Sequence, residues 1–234
     1  MHRMNKAEFQ ETLSATLFEP LWRVAYRYLQ DEIICFRLKP GERISEKIIA
    51  DALGISRSPA RMALEMLIRD GLVEEAASAR RCLCIAPINE EDCAHLSRTR
   101  AAIEGKAAYL AAKNISDEQL KQMRACLRPF FGQSTPPSPA VLAAADDRFH
   151  YLLVEASGNP HLLSVYLSIR NALLRYRHYV YHKFTVENQK LVSVSHTAIY
   201  NALRARLSES AEAEAAYDAN LMLGIAGNVD ADDA

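Results

Sequence analysis

Residues 40–73 read PGERISEKIIADALGISRSPARMALEMLIRDGLV. Two short amphipathic segments flank the triplet Leu53-Gly54-Ile55. Ile48, Ile49, Ala52 and Leu53 mark an apolar face on the first. Ala60, Leu64, Leu67 and Ile68 mark one on the second, again at helical spacing. Gly54 can turn the chain without a Cβ penalty. Pro59 falls in the first turn of the second segment, where a missing N–H breaks no intrahelical bond. Ser56 or Ser58 can cap the orphan amides there. The second helix therefore opens by presenting Arg57, Ser58 and Arg61 outward, as a helix-turn-helix must to enter a DNA groove.

Working outward, a helix is expected from about Pro20 to Arg37, burying Leu21, Ala25, Tyr28, Leu29, Ile33 and Ile34, and Lys39-Pro40-Gly41 stops it. After the two helices come Leu72-Val73-Glu74 and Cys82-Leu83-Cys84-Ile85, short strands flanking a turn at about 76–81. Two strands after a recognition helix make a wing. Ala86-Pro87-Ile88 closes this first domain. Beyond it every segment carries a helical stripe, at about 89–113, 117–131, 139–157, 160–183, 187–207 and 209–224. The Pro-rich stretch at 134–139 reads as a loop inside that bundle. The expected fold is mainly α. A winged helix-turn-helix with a small β wing covers 20–88 and an all-α domain covers 89–224. A polar, partly helical extension occupies 1–19 and an acidic tail 225–234.

Composition agrees and narrows the class. The 234 residues are enough for two cores, half are hydrophobic, and only eight are glycine, which favours helix. No apolar run approaches the roughly 18–20 residues that span a bilayer, and the N-terminus lacks the apolar core of a secretory signal, so the expected location is the cytoplasm. Five cysteines without disulfide spacing read as reduced thiols, with Cys82 and Cys84 as packing rather than half a zinc site.

Bulk charge does not speak for DNA. Residues 1–90 hold 13 Lys plus Arg and 13 Asp plus Glu. Any basic footprint must be local: Arg57 and Arg61, Arg43 before the first helix, and the Arg80-Arg81 pair in the wing. Ser45, Ser56 and Ser58 at the helix starts add phosphate-facing groups beside the helix N-terminal amides.

In the second domain Asp146 and His150 stand four apart, so they project from one helix face and can share a cation. His196 lies on a later helix that an antiparallel bundle can bring alongside. The alternative is a hydrogen-bonded Asp-His pair with a satisfied core histidine. Arg100 and Glu104, one turn apart, are either a simple helical ion pair or an arginine clamp for a carboxylate beside the cation. Arg170, Asn171 and Arg175 are candidates to line the same cavity. His178 and His182, also four apart, read as solvated or partner-facing.

These motifs carry a resemblance. Residues 40–73 resemble the winged helix-turn-helix of GntR-type bacterial transcription regulators. The later stretches Arg100–Ala108, Asp146–His150, Gly158-Asn159-Pro160 and His196–Ile199 resemble the all-helical FCD effector domain of one branch of that family. The resemblance runs over about residues 20–223. It implies a homodimer that binds a double-stranded DNA operator and answers to a small organic acid. It also implies a divalent ion (zinc, nickel or manganese) in the helical domain, and a repressor is the expectation although the sequence leaves activation open. In the family a histidine from the last helix completes the metal set; alignment puts Asn220 there, a weaker and harder donor. The wing tip also departs, with Ala-Ser-Ala-Arg-Arg where the family has glycine. The alternative function is a metal-dependent enzyme using Asp146, His150 and His196, although no general-base or nucleophile motif accompanies them.

Overall fold

The structure, a computed structural model, describes residues 4–16, 18–76, 82–131 and 137–229, with backbone alone at residue 90 and over 222–229. The chain divides into two compact units, Met1–Ile88 and Asn89–Ala234.

The first unit holds helices α1 (Lys6–Ser14), α2 (Leu21–Ile34), α3 (Glu46–Leu53) and α4 (Arg57–Arg69). Strands β1 (Arg43–Ile44), β2 (Val73–Glu75) and β3 (Leu83–Ile85) form an antiparallel sheet in the order β1-β3-β2. The first of these strands was not anticipated. The Ser45 hydroxyl caps α3 by accepting from the Ile48 amide at 3.2 Å, and Gly54 closes it at φ 70°, a left-handed turn that glycine adopts at no steric cost. Ser56 occupies the cap position of α4 without a side-chain hydrogen bond.

Ile49, Leu53, Ala60, Ala63, Leu64 and Leu67 pack with Val24, Leu29 and Ile33 of α2 into one apolar core. Ile68 lies outside it, 41% exposed, with Ala63 taking the inward place. The segment expected to be a polar extension belongs to this core too. Phe9 of α1 is fully buried, meets the Tyr28 ring edge-on at 5.5 Å, and Met4 is buried beside it. The Tyr28 hydroxyl ties the segment down by accepting from the Asn5 amide at 2.9 Å.

The second unit is helical: α5 (Glu90–Asn114), α6 (Asp117–Cys126), a 3-10 turn (Arg128–Phe130), α7 (Pro139–Ala156), α8 (Pro160–His182), α9 (Val186–Arg204) and α10 (Ser208–Val229). Each start has a local cause. Asn89, Ser116, Ser138, Asn159 and Thr185 accept from first-turn amides, and Pro139 and Pro160 sit where their missing N–H costs nothing. Helix α10 runs to Val229, so the expected tail gives up its first five residues to it. Leu120, Met123, Phe149, Leu152, Leu153, Ile199 and Leu203 form the apolar half of the bundle. The other half closes over charge.

Candidate metal centre and DNA-binding helix

In the first unit Arg57, Ser58 and Arg61 all lie exposed on the first turns of α4, and Arg43 is exposed on β1. Arg61 has one loose partner, Glu65, at 3.7 Å on the same helix face. Ser45 is half-buried with its hydroxyl engaged in its cap, whereas Ser56 is exposed. The start of α4 thus offers two guanidinium groups and free helix amides together, the combination that engages phosphates and base edges. Arg80 and Arg81 lie outside the described residues.

In the second unit five helices deliver side chains to one buried point. Helix α7 supplies Asp146 and His150, α9 His196, α5 Arg100 and Glu104, α8 Arg177 and Tyr181, and α10 Asp218; all are buried. The Asp146 Oδ1, His150 Nε2 and His196 Nε2 atoms form a small triangle: 3.2 Å from Asp146 to His196, 3.6 Å from Asp146 to His150, and 3.2 Å between the imidazoles. Ligands about 2.1 Å from a metal ion stand about 3.0 Å apart at right angles and about 3.4 Å apart in a tetrahedron. The triangle has the size of one face of a coordination polyhedron, and among the described residues this is the trio whose donor atoms converge in that way.

The surroundings hold that triangle in place. Glu104 Oε2 lies 2.9 Å from His150 Nδ1, and a proton facing Glu104 leaves the Nε2 lone pair toward the triangle, the carboxylate-histidine arrangement common behind metal ligands. The Tyr181 hydroxyl donates to Asp146 Oδ1 at 3.0 Å, while Arg177 contacts Asp146 Oδ2 through Nε. The His196 ring is fixed by Phe149 stacked at 4.7 Å and Phe130 edge-on at 5.2 Å. Its Nδ1 has no hydrogen-bond partner among the described residues.

Burial opposes charge here, and the ion pairs outweigh it. Burial raises the Glu104 carboxyl, but Arg100 and His150 pull it down to about 2. Asp146 and Asp218 are likewise driven below the ordinary carboxylate value against the effect of burial, Asp146 chiefly by Arg177 and Asp218 by His196 and Arg100. Burial and Arg100 oppose protonation of His150, yet Glu104 and Asp146 raise it above an ordinary histidine. Three fully buried carboxylates, Glu104, Asp146 and Asp218, face two buried guanidinium groups, Arg100 and Arg177. The third positive charge can come from a proton on His150 or from a bound cation, and a divalent ion suits such a donor set.

The expected site residues are thus partly assembled. Arg100 enters the interior beside the triangle and pairs there with Glu104, Nε to Oε1 at 2.9 Å. Arg170 stands one step out, with Nη2 2.5 Å from Asp147 Oδ2, and Asp147 also accepts from Arg177 at 3.2 Å. Arg175 is buried and Asn171 half-buried on the same helix. His178 is buried rather than solvated. Asn220 is displaced from its expected role: it is exposed, and its Nδ2 donates to its own helix at the Ala216 carbonyl, 3.0 Å away. Asp218, two residues earlier, turns inward instead. Sequence reading also missed Arg177 and the depth of Glu104, since a charged side chain in a helix reads as surface until the fold is known.

Comparison with known proteins places both halves. Residues 21–77 match the family of bacterial regulatory proteins named gntR, and residues 95–218 match the FCD domain. The chain is 30% identical over 147 residues to the uncharacterized HTH-type transcriptional regulator YdhC of Bacillus subtilis, a match covering 61% of this chain and 63% of that protein. It is 27% identical over 188 residues to the HTH-type transcriptional repressor NanR of Klebsiella aerogenes, covering 74% and 72%. A crystal structure of a GntR transcriptional regulator from Rhodococcus sp. RHA1 superposes with a TM-score of 0.70 at 25% identity, over 88% of this chain and 97% of that one. These relatives are regulators rather than enzymes, and among the described residues no helix is long and apolar enough to cross a membrane. With a helix-turn-helix in front and an FCD domain over more than half of its length, the chain belongs to the gntR family of bacterial regulatory proteins.

Proposed function

We propose that this protein is a homodimeric transcriptional repressor that binds a two-fold operator and responds to a small carboxylate metabolite. The observation that carries the DNA half is the exposed α4 start, where Arg57, Ser58 and Arg61 share the free amides of a helix N-terminus. Placed in the major groove, those groups combine base readout with phosphate anchoring. The likeness to the NanR repressor supports the direction of control. Two-fold symmetry of a homodimer would pair two such helices on two half-sites.

For the sensing half, Asp146, His150 and His196 would hold a divalent ion, with Glu104, Tyr181 and Arg177 orienting the ligands. A bound ion would supply positive charge that anchors an anionic metabolite in a buried site. Arg100, beside the triangle, is the group to hold the other oxygen of a carboxylate.

Selecting bound duplexes from a random pool, and eluting them with candidate acids, tests the reading directly. Arg57→Ala is expected to cost about 1–3 kcal/mol of operator affinity and relax preference at one position. Equal affinity of wild type and an Arg57→Ala/Arg61→Ala variant would sink the DNA assignment. Metal analysis before and after His150→Ala tests the sensing half, and stoichiometric metal is expected only in the parent protein.

A further inference from the structure

The carboxylate of Asp218 has two different environments. Its Oδ2 accepts from Arg100 Nη2 at 2.7 Å and lies 3.4 Å from His150 Nε2. Its Oδ1 lies 3.5 Å from His196 Nε2 and has no hydrogen-bond donor among the described residues, although the side chain is 1% exposed. A buried carboxylate oxygen without a donor is unfavourable unless a cation faces it. The Oδ1 separation from His196 falls in the same range as the edges of the Asp146-His150-His196 triangle, while the approach to His150 belongs to Oδ2, the oxygen that Arg100 holds.

We infer that Asp218 is the fourth protein ligand of the metal centre, giving two carboxylates and two imidazoles, with Arg100 gripping the carboxylate oxygen turned away from the ion. This rests on the metal reading proposed above and assigns a ligand to it. Asn220 does not compete, because its amide faces outward and is spent on its own helix. Helix geometry explains the choice. Asp218 follows Ala211 and Ala215 by seven and three residues, so it shares the face that those fully buried alanines press against α5.

The donor set has chemical consequences. A second anionic oxygen in place of a third imidazole makes the site harder, which favours manganese relative to zinc compared with a three-histidine set. Arg100 is also poised to respond. Its Nη2 lies 2.7 Å from His150 Nε2 as well as from Asp218, so an ion bound at Nε2 takes over that contact while the pair with Asp218 persists.

Metal titration of the full chain with Mn2+ and with Zn2+ tests the assignment, with folding monitored by circular dichroism. Asp218→Asn is expected to weaken Mn2+ at least tenfold, and Asp218→His to move the preference toward Zn2+. Asn220→His should leave both affinities unchanged, its imidazole being on the outer face. Pulsed electron paramagnetic resonance of Mn2+ bound to the wild type should count two coupled imidazole nitrogens, a readout independent of how any variant folds. Three nitrogens, tighter Zn2+ in Asn220→His, or unchanged Mn2+ affinity in a folded Asp218→Asn would each overturn the Asp218 assignment and leave the metal reading standing. A wild type that takes up neither ion overturns the metal reading and this assignment with it.

Discussion

The two units solve the problem of a stable interior in opposite ways. The helix-turn-helix unit is held by aliphatic and aromatic packing, and among its described residues Glu32 is the one buried charged side chain. The helical unit buries Arg100, Glu104, Asp146, Asp147, Arg175, Arg177 and Asp218, with three histidines, within a bundle of similar helices. Apolar packing is forgiving: it tolerates volume-conserving exchange and needs no partner of fixed geometry. A buried ionic cluster is not, because each member left alone carries an uncompensated desolvation cost. The unit that recognises a stiff polymer needs only a rigid platform. The unit proposed to sense a small anion has to place charges inside itself.

Acid should separate the two most sharply. The folded-state values of Glu104, Asp146 and Asp218 lie below their ordinary ones, so their contribution is complete above the usual carboxylate range and fades as pH falls through the folded values. For Glu104 that window runs from 4.5 down to about 2. His150 works on the other limb: its raised value gives stability that is complete below 6.5 and is lost as pH rises through the folded value. Hydrogen exchange on the intact chain should show α7 and α10 losing protection on acidification before α2 does. Simultaneous opening of α2 and α7 would erase the contrast.

Arg177→Met is the next largest test, because it leaves Asp146 without its guanidinium and takes one of two from Asp147. A loss of about 3–5 kcal/mol of stability is expected in denaturant unfolding followed by exchange within the helical unit. A change under about 1 kcal/mol would mean that the cluster tolerates vacancies as an apolar core tolerates exchange.

Phe9→Ala asks whether α1 is truly part of the first unit. Removing a fully buried ring that touches Tyr28 should cost about 3 kcal/mol, felt in α2 and α4 and not in the helical unit. If α2 and α4 keep their exchange protection, α1 is an accessory.

What could be read in advance divides along the same line. The helix-turn-helix was legible because its instructions are local: Ser45, Gly54 and Pro59 each act on the backbone within a few residues. The bundle helices were legible from the apolar stripe that each carries, and their starts have equally local causes in Ser116, Ser138, Asn159 and Thr185. Membership of α1 in the core was not, since Phe9 meets Tyr28 across a tertiary contact that no local pattern announces. The triangle Asp146, His150 and His196 was visible as spacing plus resemblance, but Arg177 was not, because nothing local marks which of several arginines on one helix turns inward. For Asp218 the cue was present in the four-residue repeat of alanines on α10. Alignment to a family histidine pointed two residues away, to the wrong face.

That alanine repeat has a cost of its own. Ala211, Ala215 and Ala219 are fully buried, and α5 meets this face with Ala108, Ala111, Ala112 and Gly105, where an added Cβ would stand 3.4 Å from the Glu212 carbonyl. A ladder of identical small rungs fits itself again after sliding one turn, about 6 Å, with little apolar penalty. One such slide would bring Glu214, a methylene longer, opposite Arg100; the other would bring an uncharged residue. Only the observed alignment seats the Asp218 carboxylate on the Arg100 guanidinium at 2.7 Å. The charge cluster therefore acts as a ratchet pawl for α10, choosing one rung among several that hydrophobic contact alone would leave nearly equivalent.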